Sequence, residues 1–131
     1  MRKTAHLGFV LTVLAFGTLP AHAQTTPQAS ACATQAIASD NAVEKINALG
    51  RAKNLARQAA EATNGGLGKY RADVSMHGAV SDAPCVDNGN GTWTFTVKGG
   101  KPGFTTPTQE TVVTVDGSSW QVTVDYNGAV R

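Results

Sequence analysis

The strongest constraint on the fold is an alternation of apolar and polar residues in the second half of the chain. Trp93, Phe95 and Val97 alternate with threonines over residues 92–98, and a similar period of two recurs over 110–115 and 120–126. A period of two places alternate side chains on opposite faces of a β-strand. The pattern therefore predicts neighbouring antiparallel strands with one apolar face and one exposed, threonine-rich face. In the last strand it predicts that four side chains point inward: Trp120, Val122, Val124 and Tyr126.

A helix is expected before these strands. Asn41 followed by Glu44 is typical of a helix start, and Asn64-Gly65-Gly66 is typical of a helix end. Apolar residues between them recur at helical spacing and are mostly small: Leu49, Ala52, Leu55, Ala56, Ala59 and Ala62. The predicted fold class is α+β, with an N-terminal helical region packed on one face of a three- to four-stranded antiparallel sheet.

The first 23 residues have the layout of a secretory signal peptide. A positive start is followed by an apolar run over 7–19 and by Ala21-His22-Ala23, a typical cleavage sequence. Thirteen apolar residues are too few for a membrane span, which needs about 20. We therefore expect a periplasmic or secreted protein without stable membrane insertion after processing. Its predicted parts are a flexible segment over 24–39 and one α+β domain over 40–131.

Two cysteines, Cys32 and Cys85, are present in the whole chain. A pair of cysteines in a small exported domain is most simply a structural disulfide. An alternative stays open at this point, because Ala29-Ser30-Ala31-Cys32 loosely resembles a lipoprotein cleavage sequence, which would place a lipid on Cys32.

The charge and the composition exclude several classes of function. Without the predicted signal peptide, nine basic residues balance nine acidic ones, so a general nucleic-acid binder is not expected. His77 is the only histidine outside the predicted signal peptide, so a multi-histidine metal site is not expected. Asp87-Asn88-Gly89-Asn90-Gly91 lacks the ligand spacing of a calcium loop, and we predict neither a metal nor a cofactor. Asp125, Glu110 and His77 are the groups that a small periplasmic enzyme would use, but no motif joins them, and we predict no catalytic residue.

A loop rich in glycine, proline and threonine follows the first strong strand and carries Phe104. An exposed aromatic residue in such a loop is typical of a partner contact, and the alternative is a ring that folds back over the edge of the sheet. We therefore predict that Phe104, Lys101 and Lys98 contact an unknown protein or cell-envelope partner. The functional expectation is an exported, non-enzymatic interaction module.

Several phrases resemble small exported bacterial proteins of unassigned function: NLARQAAEATNGGLGKYRA, SMHG, VDNGNGTWTFTVKGG and VTVDYNG. This resemblance implies that residues 54–131 are the defining module. The last hairpin, with its terminal Asp-x-Asn-Gly, also resembles a PepSY-type module, and such modules are associated with the regulation of extracytoplasmic partners. A helix on an antiparallel sheet is, in addition, the shape of cystatins, although their Gln-x-Val-x-Gly hairpin has no match here. An inhibitor of an extracytoplasmic enzyme is therefore the alternative function.

Overall fold

The computed structural model describes Gly17 and residues 30–131. The predicted signal peptide, apart from Gly17, and residues 24–29 of the predicted flexible segment lie outside the described residues. Helices and strands follow one another in the order α1 (Ala31–Ile37), α2 (Ala42–Thr63), β1 (Arg71–Ala72), β2 (Cys85–Asp87), β3 (Thr92–Gly100), β4 (Gln109–Asp116) and β5 (Val122–Ala129). Two short 3₁₀ turns, Val74–Met76 and Val80–Asp82, lie between β1 and β2.

The strands form one antiparallel sheet, and the helices pack against it. β3 pairs with β4 and β4 pairs with β5, whereas β1 and β2 share the other edge of β3 at its two ends. The predicted α+β class is confirmed. The sheet has five strands rather than three or four. The number was underestimated because β1 and β2 contain only two and three residues, too few to show a period of two in the sequence.

The core lies between α2 and the middle of the sheet. Its fully buried members include the inward side chains of β3 and β4 and one stripe of α2: Phe95, Val97, Val113, Val115, Leu49, Ala52, Ala56 and Ala60. Alanines on the inner stripe let the helix lie close to the strands. The expected stripe differs in detail, because Ala60 is buried whereas Leu55 and Ala59 are only partly covered.

The apolar side chains of β5 are more exposed than the alternation in the sequence predicts. Val122 and Val124 face the same side as the buried Val115 and Val113 with which they pair, yet they stay 37% and 38% exposed. β5 is the edge strand, where α2 does not fully cover it. A register shift between Val112 and Val113 pairs Tyr126 with Val112, so Tyr126 lies on the open face and not inward as predicted.

The segment over 24–39 that was predicted to be flexible contains a helix, α1, at residues 31–37. Two links hold this short helix in place. Cys32 forms a disulfide with Cys85 in β2, as predicted, and the Ser30 N–H donates to the Ser81 carbonyl at 2.9 Å. Because seven residues barely make a stable helix alone, these tertiary links determine the structure of α1.

The end of α2 is fixed to the sheet by a closed ring of three polar side chains. Asn64 Nδ2 donates to Thr111 Oγ1 at 3.1 Å, and Thr111 Oγ1 donates to Asn127 Oδ1 at 2.7 Å. Asn127 Nδ2 closes the ring by donating to Asn64 Oδ1 at 3.2 Å. Thr111 is fully buried, so its hydroxyl depends on these partners.

Candidate functional site

A cleft of about 320 Å³ opens at the end of the sheet where α1, the start of α2 and the turn between β2 and β3 meet. We call it the Trp93 cleft. Its lining combines one aromatic ring, two opposite charges, an amide and three small residues: Trp93, Lys45, Asp87, Gln35, Ala36, Gly89 and Gly91.

The disulfide holds two walls of the Trp93 cleft together. Gln35 lies three residues after Cys32, a spacing that places both on the same side of a helix. Asp87 lies two residues after Cys85, on the same face of β2. The Cα atoms of the two cysteines are 5.7 Å apart, so the bond fixes the distance between α1 and β2 directly beside the cleft.

The turn between β2 and β3 has the backbone conformation that its sequence favours. Gly89 and Gly91 have φ angles of 79° and 82°, which L side chains rarely adopt. The Gly89 N–H donates to Asp87 Oδ1 at 2.9 Å, which forms an Asx turn. Asp87 therefore uses one carboxylate oxygen to hold the turn, and the other oxygen has no hydrogen bond from the described residues.

Trp93 supplies the aromatic wall of the cleft. Its side chain was expected in the core and does point toward the helices, but it lies at the rim of the core and is half-buried. A Cβ atom added to Gly117 would lie 2.9 Å from the ring, so the ring packs directly on the Gly117 backbone. The indole is thus supported from the β4–β5 turn and contributes part of its surface to the cleft.

Within the part of the chain that the structure describes, no salt bridge neutralises the charges of the cleft. Residues 30–131 contain two ion pairs, Arg57–Glu61 and Arg131–Glu110, so neither Lys45 nor Asp87 belongs to one. Lys45 is exposed and Asp87 is half-buried. An ammonium group and a carboxylate group therefore both remain available in the cleft.

The loop that carries Phe104 is a tight turn over Lys101–Phe104. The Phe104 N–H donates to the Lys101 carbonyl at 3.0 Å, and Gly103 has a φ of 85°. The Phe104 ring folds back onto Gly100 and is half-buried, whereas Lys101 is exposed. Lys98 is exposed on the face of the sheet that the helices leave open. Gly100 lies two residues further along β3, so a side chain there would point to the same open face. The three predicted contact residues thus lie near one another.

The three groups considered for catalysis do not form a common site. Glu110 and Asp125 both lie on the open face, but each has its own partner: Glu110 pairs with Arg131 at 3.1 Å, and Asp125 accepts a bond from Thr114 at 2.5 Å. His77 is on the other side of the sheet, at the end of a 3₁₀ turn that packs against α2.

Glu110 has a structural partner rather than a reactive environment. The backbone N–H of Arg131 and, after it, the Arg131 guanidinium hold the pKa of the Glu110 carboxyl below its ordinary value, although burial opposes this shift. The Arg131 guanidinium also stacks on Tyr126, 3.6 Å from the ring centre. Arg131 therefore covers both Glu110 and the Tyr126 ring on the open face.

A search of protein families, curated proteins and solved structures finds no match to this chain. Among the described residues, no helix has both the length and the apolar character that crossing a membrane requires. Within the same residues, His, Cys, Asp and Glu side chains form no group of three or more that could hold a metal ion.

Gln35, Lys45 and Asp87 are not among the site residues predicted from the sequence. The one signal that pointed to them was the cysteine pair, because a bond from Cys32 to Cys85 brings residues near 35 to the strand that precedes Trp93.

Proposed function

We propose that this protein is an exported, non-enzymatic binding module and that it binds its ligand in the Trp93 cleft. The disulfide supports the exported location, because such bonds persist in oxidising compartments. The observation that carries the proposal is the cleft itself, in which an aromatic wall and two opposite charges, neither in an ion pair with another described residue, surround one concave space.

This combination is typical of a small-ligand site. Such sites are concave, have an apolar or aromatic wall, and carry a few polar groups that fix orientation. The covalent bond between Cys32 and Cys85, together with the Asx turn at Asp87, holds the walls in place before a ligand arrives. A preformed site loses less conformational entropy on binding than a flexible one.

The proposal can be tested by blocking the cleft. Gln35→Trp places a large side chain in the cleft opening, and Thr34→Trp is the matched control, because Thr34 is exposed on the same helix but does not line the cleft. Each protein is purified from cells that export it and is weighed by native mass spectrometry. We expect the unmodified protein and Thr34→Trp to carry a small molecule that Gln35→Trp lacks. Equal retention by both variants, or no bound species on the unmodified protein, would contradict binding in the cleft.

The Phe104 turn favours a second candidate, a module that binds or inhibits a protein partner outside the cytoplasm. Lys101 and Lys98 are exposed beside a half-buried aromatic ring, and their positive charges favour an acidic partner. A panel of cysteine proteases at micromolar concentrations tests the cystatin-like form of this function. Phe104→Ala tests the surface more generally, since it should abolish binding to a captured partner while the domain stays folded.

A further inference from the structure

We propose that the ligand of the Trp93 cleft is a neutral pyranose, either as a free sugar or as one unit of a glycan. This inference rests on the proposed function, because it names the chemical class that the cleft would take. It follows from the charge balance, the hydrogen-bonding groups, the aromatic wall and the size of the cleft.

The charge balance of the cleft favours a ligand without net charge. Lys45 and Asp87 are the charged residues of the lining, and their charges cancel. An anion would be attracted by Lys45 and repelled by Asp87, and a cation would experience the reverse. A neutral ligand avoids both repulsions.

The polar groups match a molecule that carries several adjacent hydroxyls. The Asp87 oxygen that does not bind Gly89 accepts hydrogen bonds, Lys45 donates them, and the Gln35 amide does both. Each sugar hydroxyl is a donor and an acceptor at once, so neighbouring hydroxyls can bind Asp87 and Lys45 together. Hydrogen bonds to charged groups of this kind are among the strong ones in proteins.

The aromatic wall matches the ring of a pyranose. The face of an indole carries negative charge density, and the C–H bonds on one side of a sugar ring present a weakly positive, apolar surface to it. A volume of about 320 Å³ is at the lower end of ligand pockets, which span about 300–1,000 Å³. We therefore expect one ring inside the cleft, with further units of a glycan extending into solvent.

A zwitterion such as an amino acid is the competing ligand, because it is also neutral overall and carries both charges. It is less well matched, because a small zwitterion such as glycine has no apolar C–H face to cover the Trp93 ring. The experiment must include it as a separate ligand.

Tryptophan fluorescence tests the inference in a Trp120→Phe protein, where Trp93 is the only tryptophan. The probes are glucose, N-acetylglucosamine, cellotriose, glycine and betaine. We expect a saturable change with the sugars and none with glycine or betaine. Asp87→Asn keeps the oxygen that binds Gly89 but loses the charge, so it should weaken sugar binding by about tenfold or more. Asp125→Asn, on the open face, is the matched control and should bind as tightly as the parent.

Each outcome has one meaning. Tighter binding of cellotriose than of glucose supports a glycan, and equal binding supports a free sugar. Binding of glycine or betaine without the sugars overturns the pyranose and leaves the cleft as a binding site. Absence of binding by every probe also overturns the pyranose, while the mass comparison of Gln35→Trp with Thr34→Trp decides separately whether the cleft binds anything.

Discussion

Removal of the disulfide should destabilise this domain more than most single core substitutions would. We consider the double variant Cys32→Ala, Cys85→Ala. The bond joins residues 53 positions apart, and the chain-entropy relation for a loop of that size gives about 4 kcal/mol at 25 °C. Typical domains have a total unfolding free energy of about 5–15 kcal/mol, so the loss is a large fraction of the whole.

The assay is urea unfolding at equilibrium, followed by far-ultraviolet circular dichroism. We expect a lower midpoint and a free energy of unfolding that falls by about 4 kcal/mol. We also expect a larger dependence of that free energy on urea, because the unlinked unfolded chain is more expanded. The unmodified protein with its disulfide reduced is the control, since it should show the same loss without substitution.

A loss below about 1 kcal/mol in both the double variant and the reduced protein would contradict stabilisation by the disulfide through the unfolded chain. It would mean that α1 and β2 are held mainly by noncovalent packing. The same samples connect stability with function. If the disulfide holds the walls of the Trp93 cleft, the double variant should lose ligand binding even in the absence of urea, where its sheet is still folded.

Three further predictions concern the sheet. Thr111→Val removes the hydroxyl that links the end of α2 to β5, so thermal and urea unfolding should show a loss of about 1–3 kcal/mol. The pKa of Glu110 is lower in the folded protein than its ordinary value of 4.5. The stabilisation from its contacts with Arg131 is therefore complete above pH 4.5 and is lost as the pH falls through the pKa of Glu110 in the folded protein. Glu110→Gln should make the free energy of unfolding depend less on pH in this acidic range. An unchanged pH dependence would contradict the role of Glu110. Gly99→Ala would place a Cβ atom 2.4 Å from the Arg71 carbonyl oxygen and the Tyr70 hydroxyl oxygen and should destabilise by about 2 kcal/mol or more. Gly68→Ala, with nothing within 4 Å, should be nearly neutral in the same unfolding assay.

The main strands and the helix could be predicted because each is long enough to show its period. Residues 92–98 alternate regularly, and β3 spans Thr92–Gly100. The helix end predicted at Asn64-Gly65-Gly66 is confirmed, since α2 ends at Thr63 and both glycines adopt positive φ angles. In such segments, local preference and tertiary packing favour the same structure.

The remaining elements depend on tertiary contacts that no local pattern records. α1 is a seven-residue helix inside a stretch whose composition favours flexibility, and the bond from Cys32 holds it. The exposure of Val122 and Val124 depends on which strands α2 covers, and strand alternation alone gives no information on that point.

The candidate site was harder to predict than the fold for the same reason. Gln35, Lys45, Asp87 and Trp93 come from four separate elements, and no two of them belong to one motif. Phe104 was a conspicuous candidate because it lies in a loop, yet its ring folds back onto Gly100. The sequence left open whether this ring is exposed or folded back, since a type of loop does not determine which way its side chain packs; contact of Phe104 with a partner stays a prediction.

The most direct test of the central claim is a map of amide chemical shifts on ¹⁵N-labelled protein as cellotriose is added. We predict saturable shifts that cluster at Gln35, Gly89, Gly91 and the Trp93 indole N–H. These shifts should weaken in Asp87→Asn and persist in Asp125→Asn. Shifts confined to the Phe104 turn or to the open face of the sheet, or no shifts at all, would contradict binding of a pyranose in the Trp93 cleft.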